Sequence, residues 1–234
     1  MTCLICNEPT KYFFHKNFDR YGLDRVDYHK CSSCGFVYSE THRLLSESSW
    51  SELNYACHSS YQGGDENKDD PRWLERLKAQ ADVLSDTAEL GLVAIEGDWL
   101  DYACGDGKLS ELLRGKKNLL KYDKFMHSSG YLNAAQLNQK TELFNFVITT
   151  SVFEHLIQRQ HYDDIHSLVS EKGVMGLHTL ICEDVPCDKN WFYLLPVHCA
   201  FHTNKSMSIL MKQWGFVESI YNVDARLWLS LIHI

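Results

Sequence analysis

The sequence has little proline, four in 234 residues, and no tract of low complexity, so its composition provides no disordered linker or tail. It also lacks any apolar stretch near the roughly 20 residues that a membrane-spanning helix needs. The opening Met1-Thr2-Cys3-Leu4-Ile5-Cys6 is without the basic-then-apolar order of an export signal, which points to the cytoplasm. Basic residues are outnumbered, 23 Lys and Arg against 31 Asp and Glu, and the net charge of −8 argues against general attraction to nucleic-acid phosphates. There is no internal repeat. What remains is a globular chain with room for one main domain and a small accessory module, whose oligomeric state the sequence leaves open.

Cysteine, by contrast, is plentiful: nine residues, an odd number that in a reducing compartment reads as thiols or metal ligands rather than a disulfide frame. Cys3-Leu4-Ile5-Cys6 and Cys31-Ser32-Ser33-Cys34-Gly35 form two C-x2-C turns separated by residues 7–30. Each can aim two thiolates at one tetrahedral zinc, and Gly35 suits a tight knuckle needing positive φ. The segment from Lys11 to Lys30 is aromatic and charged but too short to bury a core alone. Zinc would supply the missing stability, on the order of 10 kcal/mol in isolated fingers. With Cys3, Cys6, Cys31 and Cys34 filling all four positions, none is left for water, so the expected metal is structural rather than catalytic. A redox dithiol would explain one C-x2-C and not the second.

Residues 1–40 are thus expected to form a zinc ribbon, and the turn-rich residues 41–70 a connector or lid. From residue 71 onward strands and helices alternate. Asp70-Pro71 reads as the start of a helix that runs to Gly91, with Trp73, Leu77, Ala81, Leu84 and Ala88 on one face. Strands are expected at Trp99-Leu100, Leu119–Tyr122, Phe144–Thr150 and Val174–Leu180. Between them come a helix from Lys108 to Arg114 ended by Gly115, and one carrying Ile165, Leu168 and Val169 that stops at Gly173. Thr203 caps a last helix with Met207, Leu210, Met211 and Trp214, and Phe216–Tyr221 with Arg226–Ile232 form a closing antiparallel pair. The expected class is α/β: a mostly parallel sheet with a terminal antiparallel strand, ligands lying over the carboxyl ends of the strands. The chain ends inside an expected strand, so an extension beyond Ile234 is also expected.

Asp101-Tyr102-Ala103-Cys104-Gly105-Asp106-Gly107 lies between the first of these strands and its helix. Gly105-Asp106-Gly107-Lys108-Leu109-Ser110 nearly matches a dinucleotide fingerprint, with Asp123 at ribose distance. Charge separates the possible ligands. A pyrophosphate beside Asp101 and Asp106 would be repelled, whereas a ligand with an ammonium and a sulfonium would be attracted. S-adenosylmethionine is such a ligand, and Asp123 could accept from its ribose hydroxyls.

At this point the chain resembles the class I S-adenosylmethionine-dependent methyltransferases, from the helix at residue 70 to the end, and the resemblance implies a Rossmann-like, seven-stranded, mostly parallel sheet with a terminal antiparallel strand. The Asp101–Gly107 stretch is similar to that family's first motif, Asp123 to its ribose-binding acid, and Phe144 to Leu156 to its fourth-strand motif. Two departures are Ala103, where glycine is usual, and Asn145, where an acid is common. The resemblance implies cofactor contacts by Asp101, Tyr102, Ala103, Cys104, Gly105, Gly107, Asp123, Lys124, Thr150 and Ser151. A four-cysteine ribbon ahead of such a domain further resembles a subgroup that includes sugar C-methyltransferases. The expected reaction is methyl transfer to a small polar acceptor, a sugar or other biosynthetic intermediate. Alternatives are an RNA or protein methyltransferase guided by the ribbon and a nicotinamide-dependent oxidoreductase.

Methyl transfer needs a base only when the acceptor must lose a proton. Glu154 and His155 follow the Phe144–Thr150 strand, and His155 is the first candidate base. An equally open reading is that this pair only begins a helix and seats the cofactor. Residues 182–202, rich in Trp191, Phe192, Tyr193, His198, Phe201 and His202, read as an acceptor lid, with His198 or His202 meeting the acceptor.

Overall fold

The computed structural model describes residues 1–58, 72–92, 97–113, 119–126, 128–140 and 143–231. The expected helix start at Asp70-Pro71, the helix-ending Gly115 and the terminal residues 232–234 lie outside them. The chain divides into two compact units. One contains the N-terminal part with Ser151–Asp163 and Thr179–Trp214; the other contains the described residues from 72 to 150 with Asp164–His178 and Gly215 onward.

The second of these units is built on a seven-stranded sheet, as the resemblance implies. Its order is Glu218–Asn222, Leu227–Leu231, Val169–His178, Phe144–Thr150, Trp99–Tyr102, Leu119–Tyr122, Tyr131–Leu132. Pairings from Val169–His178 through Tyr131–Leu132 are parallel, and Leu227–Leu231 runs antiparallel to both of its neighbours. Apolar residues on consecutive positions of the central strands, such as Phe146, Val147 and Ile148, are all fully buried, as expected for a sheet covered on both faces. The Trp73–Glu89 helix presents Leu77, Ala81, Leu84 and Ala88 to a core containing Trp99, Phe146, Ile148 and Leu229. The 3.6-residue period of those four side chains is what places them on one face.

Several elements differ from expectation: Tyr131–Leu132 and Ala134–Asn138 form a strand and a helix where none was expected, and the helix from Lys108 ends at Leu112. The helix predicted to reach Gly173 ends at His166, and Val169 already begins a strand. Val169 pairs with Phe144 and Val174 with Phe146, so residues 170–173 bulge out of the register. Gly173 is therefore a bulge residue; a Cβ there would come within 3.0 Å of the Phe144 carbonyl. Helical periodicity in this stretch loses to a strand that can be buried on both sides.

The other unit carries a five-stranded sheet in the order Thr10–Phe18, Asp24–Cys31, Val37–Ser39, Ala200–Thr203, Ile181–Cys182. The first three form an antiparallel meander. Ala200–Thr203 joins it antiparallel, and Ile181–Cys182 adds in parallel. The division of the chain expected from sequence, a ribbon at 1–40 and a domain from 71 onward, changes accordingly: residues 179–214 complete the sheet begun by the ribbon. The stretch expected as connector forms two helices, Glu40–Arg43 and Glu47–His58, the second burying Trp50, Leu53 and Cys57; residues 59–71 lie outside the described chain. Thr203 caps the Asn204–Gln213 helix through a reciprocal pair with Ser206.

The central sheet leaves no spare volume at Gly176, where an added Cβ would stand 2.7 Å from Phe146 Cζ and 3.2 Å from Ile148 Cγ1. Gly176→Ala is expected to lower unfolding free energy by about 1–3 kcal/mol through overpacking, read from the urea midpoint at unchanged slope.

Candidate functional site

The glycine loop begins where the Trp99–Tyr102 strand ends. Ala103, Gly105 and Gly107 have φ of 58°, 56° and 76°, so alternate residues are left-handed and the chain folds back on itself. For Ala103, the residue that departs from glycine, this conformation costs about 1–2 kcal/mol. Gly107 admits no side chain: a Cβ would lie 2.8 Å from both Tyr131 Oη and Lys121 Cδ. At Gly105 no described atom comes within 4 Å of that position, so the backbone is accessible to a ligand.

Hydrogen bonds from the neighbouring strands fix the loop. The Gly105 amide donates to Asp123 Oδ2 at 2.9 Å, Tyr131 Oη donates to the Gly105 carbonyl at 3.0 Å, and the Cys104 amide donates to the Tyr122 carbonyl at 3.1 Å. Asp123 is buried, and its Oδ1 accepts from the amides of Phe125 and Met126 at 2.8 and 2.9 Å. This acid therefore organises two backbone turns, a role its sequence position alone did not announce. Its Oδ2, with one described partner, retains acceptor capacity.

Asp101 is 2% exposed, and its Oδ1 has no hydrogen-bond partner among the described residues. Burial first, then the carboxylates of Asp123 and Asp106, raise its pKa to about 8, with Lys121 opposing. A buried carboxyl oxygen without a partner costs about 1–3 kcal/mol unless a ligand satisfies it. Burial also pushes the Cys104 thiol up, assisted by Asp101 and Asp123, so Cys104 stays protonated and serves as packing rather than as a nucleophile. Tyr102 stacks on Tyr122 with ring centroids 5.1 Å apart, and Lys124 Nζ lies 5.8 Å from the Phe125 ring centroid. Thr150 closes its strand, and Ser151 next to it has φ 58°, a left-handed turn just past the strand's carboxyl end, as at Ala103. Asn145 sits at the start of the same strand and accepts from Ser170 Oγ at 3.1 Å.

The remaining candidates belong to the other unit. Glu154 is 1% exposed; Tyr193 Oη donates to its Oε1 at 2.7 Å and Thr179 Oγ1 to its Oε2 at 2.9 Å. His155 Nδ1 faces the Val197 carbonyl at 3.0 Å, and His198 Nδ1 faces the Tyr193 carbonyl at 2.8 Å. A carbonyl only accepts, so both imidazoles carry their proton on Nδ1 and their lone pair on Nε2. The two rings meet edge to face at 4.9 Å, and His58 lies 5.2 Å from His155. Burial, then His198 and His58, hold His155 well below the usual histidine range, so it is neutral. Tyr193 is the aromatic residue of the supposed lid that touches Glu154. Thr179 and His58 carried no sequence signal, because neither lies near Glu154 in the chain.

His202 is a correction. It is fully buried, its Nε2 pairs with Tyr162 Oη at 3.2 Å, and its ring lies 4.8 Å from Phe36; burial lowers its pKa to about 3. Such a histidine is core, not an acceptor contact. Residues 182–202 likewise do not form a free lid, since they include a strand of the five-stranded sheet and pack Trp191 on Phe201 at 5.1 Å.

The four ribbon cysteines converge. Cys3 and Cys34 Sγ are 3.6 Å apart, Cys6 and Cys31 Sγ 3.5 Å, and all four sulfurs lie within 4.8 Å of one another. Zinc–sulfur bonds of about 2.3 Å in a tetrahedron require sulfurs about 3.8 Å apart, which this set fits. Backbone amides of Ile5 and Cys34 donate to Cys3 and Cys31 Sγ at 3.4 and 3.5 Å, and Gly35 turns with φ 75°. Arg159 binds this knuckle to its own unit through the carbonyls of Leu4 and Ile5 at 3.5 and 3.2 Å.

The methyltransferase-domain family matches residues 68–218, well over half of the chain. The chain belongs to that family and is a methyltransferase, which sets aside the nicotinamide-dependent alternative. Among solved structures it is similar to magnesium protoporphyrin IX methyltransferase from Synechocystis PCC 6803 with bound SAH, at 13% identity and TM-score 0.51, covering 78% of this chain and 98% of that one. It is also similar to the plantazolicin methyltransferase BpumL in complex with SAH, at 11% identity and TM-score 0.50, covering 83% and 96%. At such identities the likeness is one of fold. No curated protein matches the sequence.

Ionisation of Asp101 is penalised only in the folded protein. The penalty is absent below about pH 4, where the unfolded chain titrates, grows as pH rises, and is complete above about pH 8. Unliganded protein is expected to lose thermal stability between about pH 5 and 8, and Asp101→Asn to flatten that slope; calorimetric midpoints across this range are the check.

Proposed function

We propose that the protein transfers a methyl group from S-adenosylmethionine to a small polar acceptor. The observation that supports this most directly is the Oδ1 of buried Asp101, without a partner among the described residues, beside the left-handed glycine loop in a chain of the methyltransferase family. The cofactor, once bound, supplies a methyl carbon activated by its sulfonium. The carboxylates of Asp106 and Asp123 beside the loop favour a cationic ligand over a pyrophosphate, and buried Asp101 offers its unpaired oxygen to a donor of that ligand. Gly105 permits close backbone approach, and Asp123 offers Oδ2 to a ribose hydroxyl. Tyr102, Ala103, Cys104, Gly107, Lys124, Thr150 and Ser151 complete the proposed cofactor contacts. Where the acceptor must lose a proton, His155 is the proposed base, with Glu154 and His198 within 4.8 Å of it. Positioning supplies much of the remaining acceleration.

The ribbon is proposed to hold one structural zinc on Cys3, Cys6, Cys31 and Cys34. An RNA-guiding ribbon gains little support: of its basic residues, Arg25 pairs with Asp27, Lys30 with Asp184, and Lys16 Nζ donates to the Leu194 carbonyl. A sugar or another hydroxylated intermediate fits the acceptor class that the resemblance suggests.

Titration calorimetry with S-adenosylhomocysteine is expected to give one site, weakened at least tenfold by Asp123→Ala; absence of binding by the wild type would remove the cofactor reading. With an acceptor in hand, His155→Ala is expected to lower kcat about 10²–10⁴-fold while cofactor affinity stays within twofold. Native mass spectra are expected to contain one zinc per chain, and stripping it with a chelator should remove binding free energy on the order of 10 kcal/mol and lower the thermal midpoint.

A further inference from the structure

The cluster of Glu154, His155 and His198 has the composition of a metal site, and this inference rests on the methyl-transfer reading above. We propose that Glu154, His155 and His198 bind a divalent first-row cation, separate from the ribbon's zinc, that leaves coordination positions open for an oxygen of the acceptor.

Three features carry it. One carboxylate oxygen and two imidazole nitrogens lie within 4.8 Å of one another, the same span that encloses the four ribbon sulfurs. Both imidazoles hold their proton on Nδ1 against a backbone carbonyl, of Val197 and of Tyr193, which fixes the lone pair on Nε2. This is how histidine ligands are commonly oriented. The carboxylate is held from behind by the Tyr193 and Thr179 hydroxyls, one on each oxygen, and each oxygen keeps a lone pair.

Charge supplies the fourth argument. Glu154 is 1% exposed, and no lysine or arginine among the described residues forms an ion pair with it. A buried carboxylate without a counter-charge is costly, and hydroxyl donors compensate only partly. A bound cation would supply that charge. One carboxylate with two histidines is a set that first-row divalent ions accept while keeping other positions open. A hydroxyl bound there would ionise more readily and release its proton to water.

The test uses the full chain with its ribbon loaded with zinc, titrated with Mn²⁺ and followed by electron paramagnetic resonance of the free ion. Mn²⁺ prefers oxygen and nitrogen donors and does not compete for four thiolates. One equivalent is expected to bind, and His155→Ala, His198→Ala and Glu154→Gln should each weaken it at least tenfold while S-adenosylhomocysteine binding is kept. Pulsed measurements on the wild type should show two coordinated imidazole nitrogens, a readout that survives if a variant misfolds. No bound Mn²⁺, bound ion without imidazole coupling, or binding unchanged in all three variants would overturn the cation site. Wild-type protein that fails to bind S-adenosylhomocysteine would instead overturn the methyl-transfer reading.

Discussion

Two residue pairs of antiparallel backbone, Ala200 with Tyr38 and Phe201 with Val37, extended by the Ser39 amide donating to the Cys199 carbonyl at 2.7 Å, organise the unit that contains the cysteines. Without them the N-terminal meander would be a three-stranded ribbon with an open edge, too small to bury a core. With them, Tyr28, Phe36, Tyr38 and Phe201 become fully buried together, and Thr203 Oγ1 donates to the Cys34 carbonyl behind the cysteine knuckle. The same pairing carries the neighbouring segment into place. Cys199 donates its amide to the Glu154 carbonyl at 2.8 Å, so the residues flanking His198 and those flanking His155 are held in one framework.

Strain and burial concentrate where ligands are proposed. Left-handed, non-glycine residues follow two of the parallel strands, at Ala103 and Ser151, and each costs more than an extended residue would. Asp101 and Glu154 are both nearly inaccessible carboxyl groups, yet their surroundings differ. Asp101 has an oxygen without a partner among the described residues, and burial first, then neighbours of its own sign, raise its pKa. Glu154 has two hydroxyl donors and no cation among the described ion pairs. The first environment suits a ligand that brings a hydrogen-bond donor, and the second suits one that brings positive charge.

The two folding units stabilise themselves by different means. The seven-stranded unit buries consecutive apolar strand residues under the Trp73–Glu89 helix, a core that requires no ligand. The five-stranded unit gathers aromatic rings, with Phe14 on Tyr28 at 5.0 Å and Phe36 on Tyr38 at 6.1 Å, around four thiols that fit a metal. Its polar interior, including His42, His202 and Glu154, is specified by hydrogen bonds, and such networks fix one arrangement at the cost of tolerating little change.

The sequence by itself determined what is local. The C-x2-C spacings set two thiol-bearing turns, the apolar period of residues 73–88 set a helix, and the alternation of strands with helices set a mostly parallel sheet. In each case residues a few positions apart decide the geometry, so spacing is enough. The glycine loop was legible for the same reason, since its left-handed turns need small residues in sequence. Only the tertiary structure decided that residues 179–214 join the ribbon rather than form a lid, that His202 is core while His198 faces His155, that Thr179 and Tyr193 hold Glu154, and that Asp123 spends most of its capacity on backbone amides. These outcomes depend on pairing between segments far apart in the chain, where whichever burial and hydrogen-bond set satisfies the most groups at once prevails over any local preference.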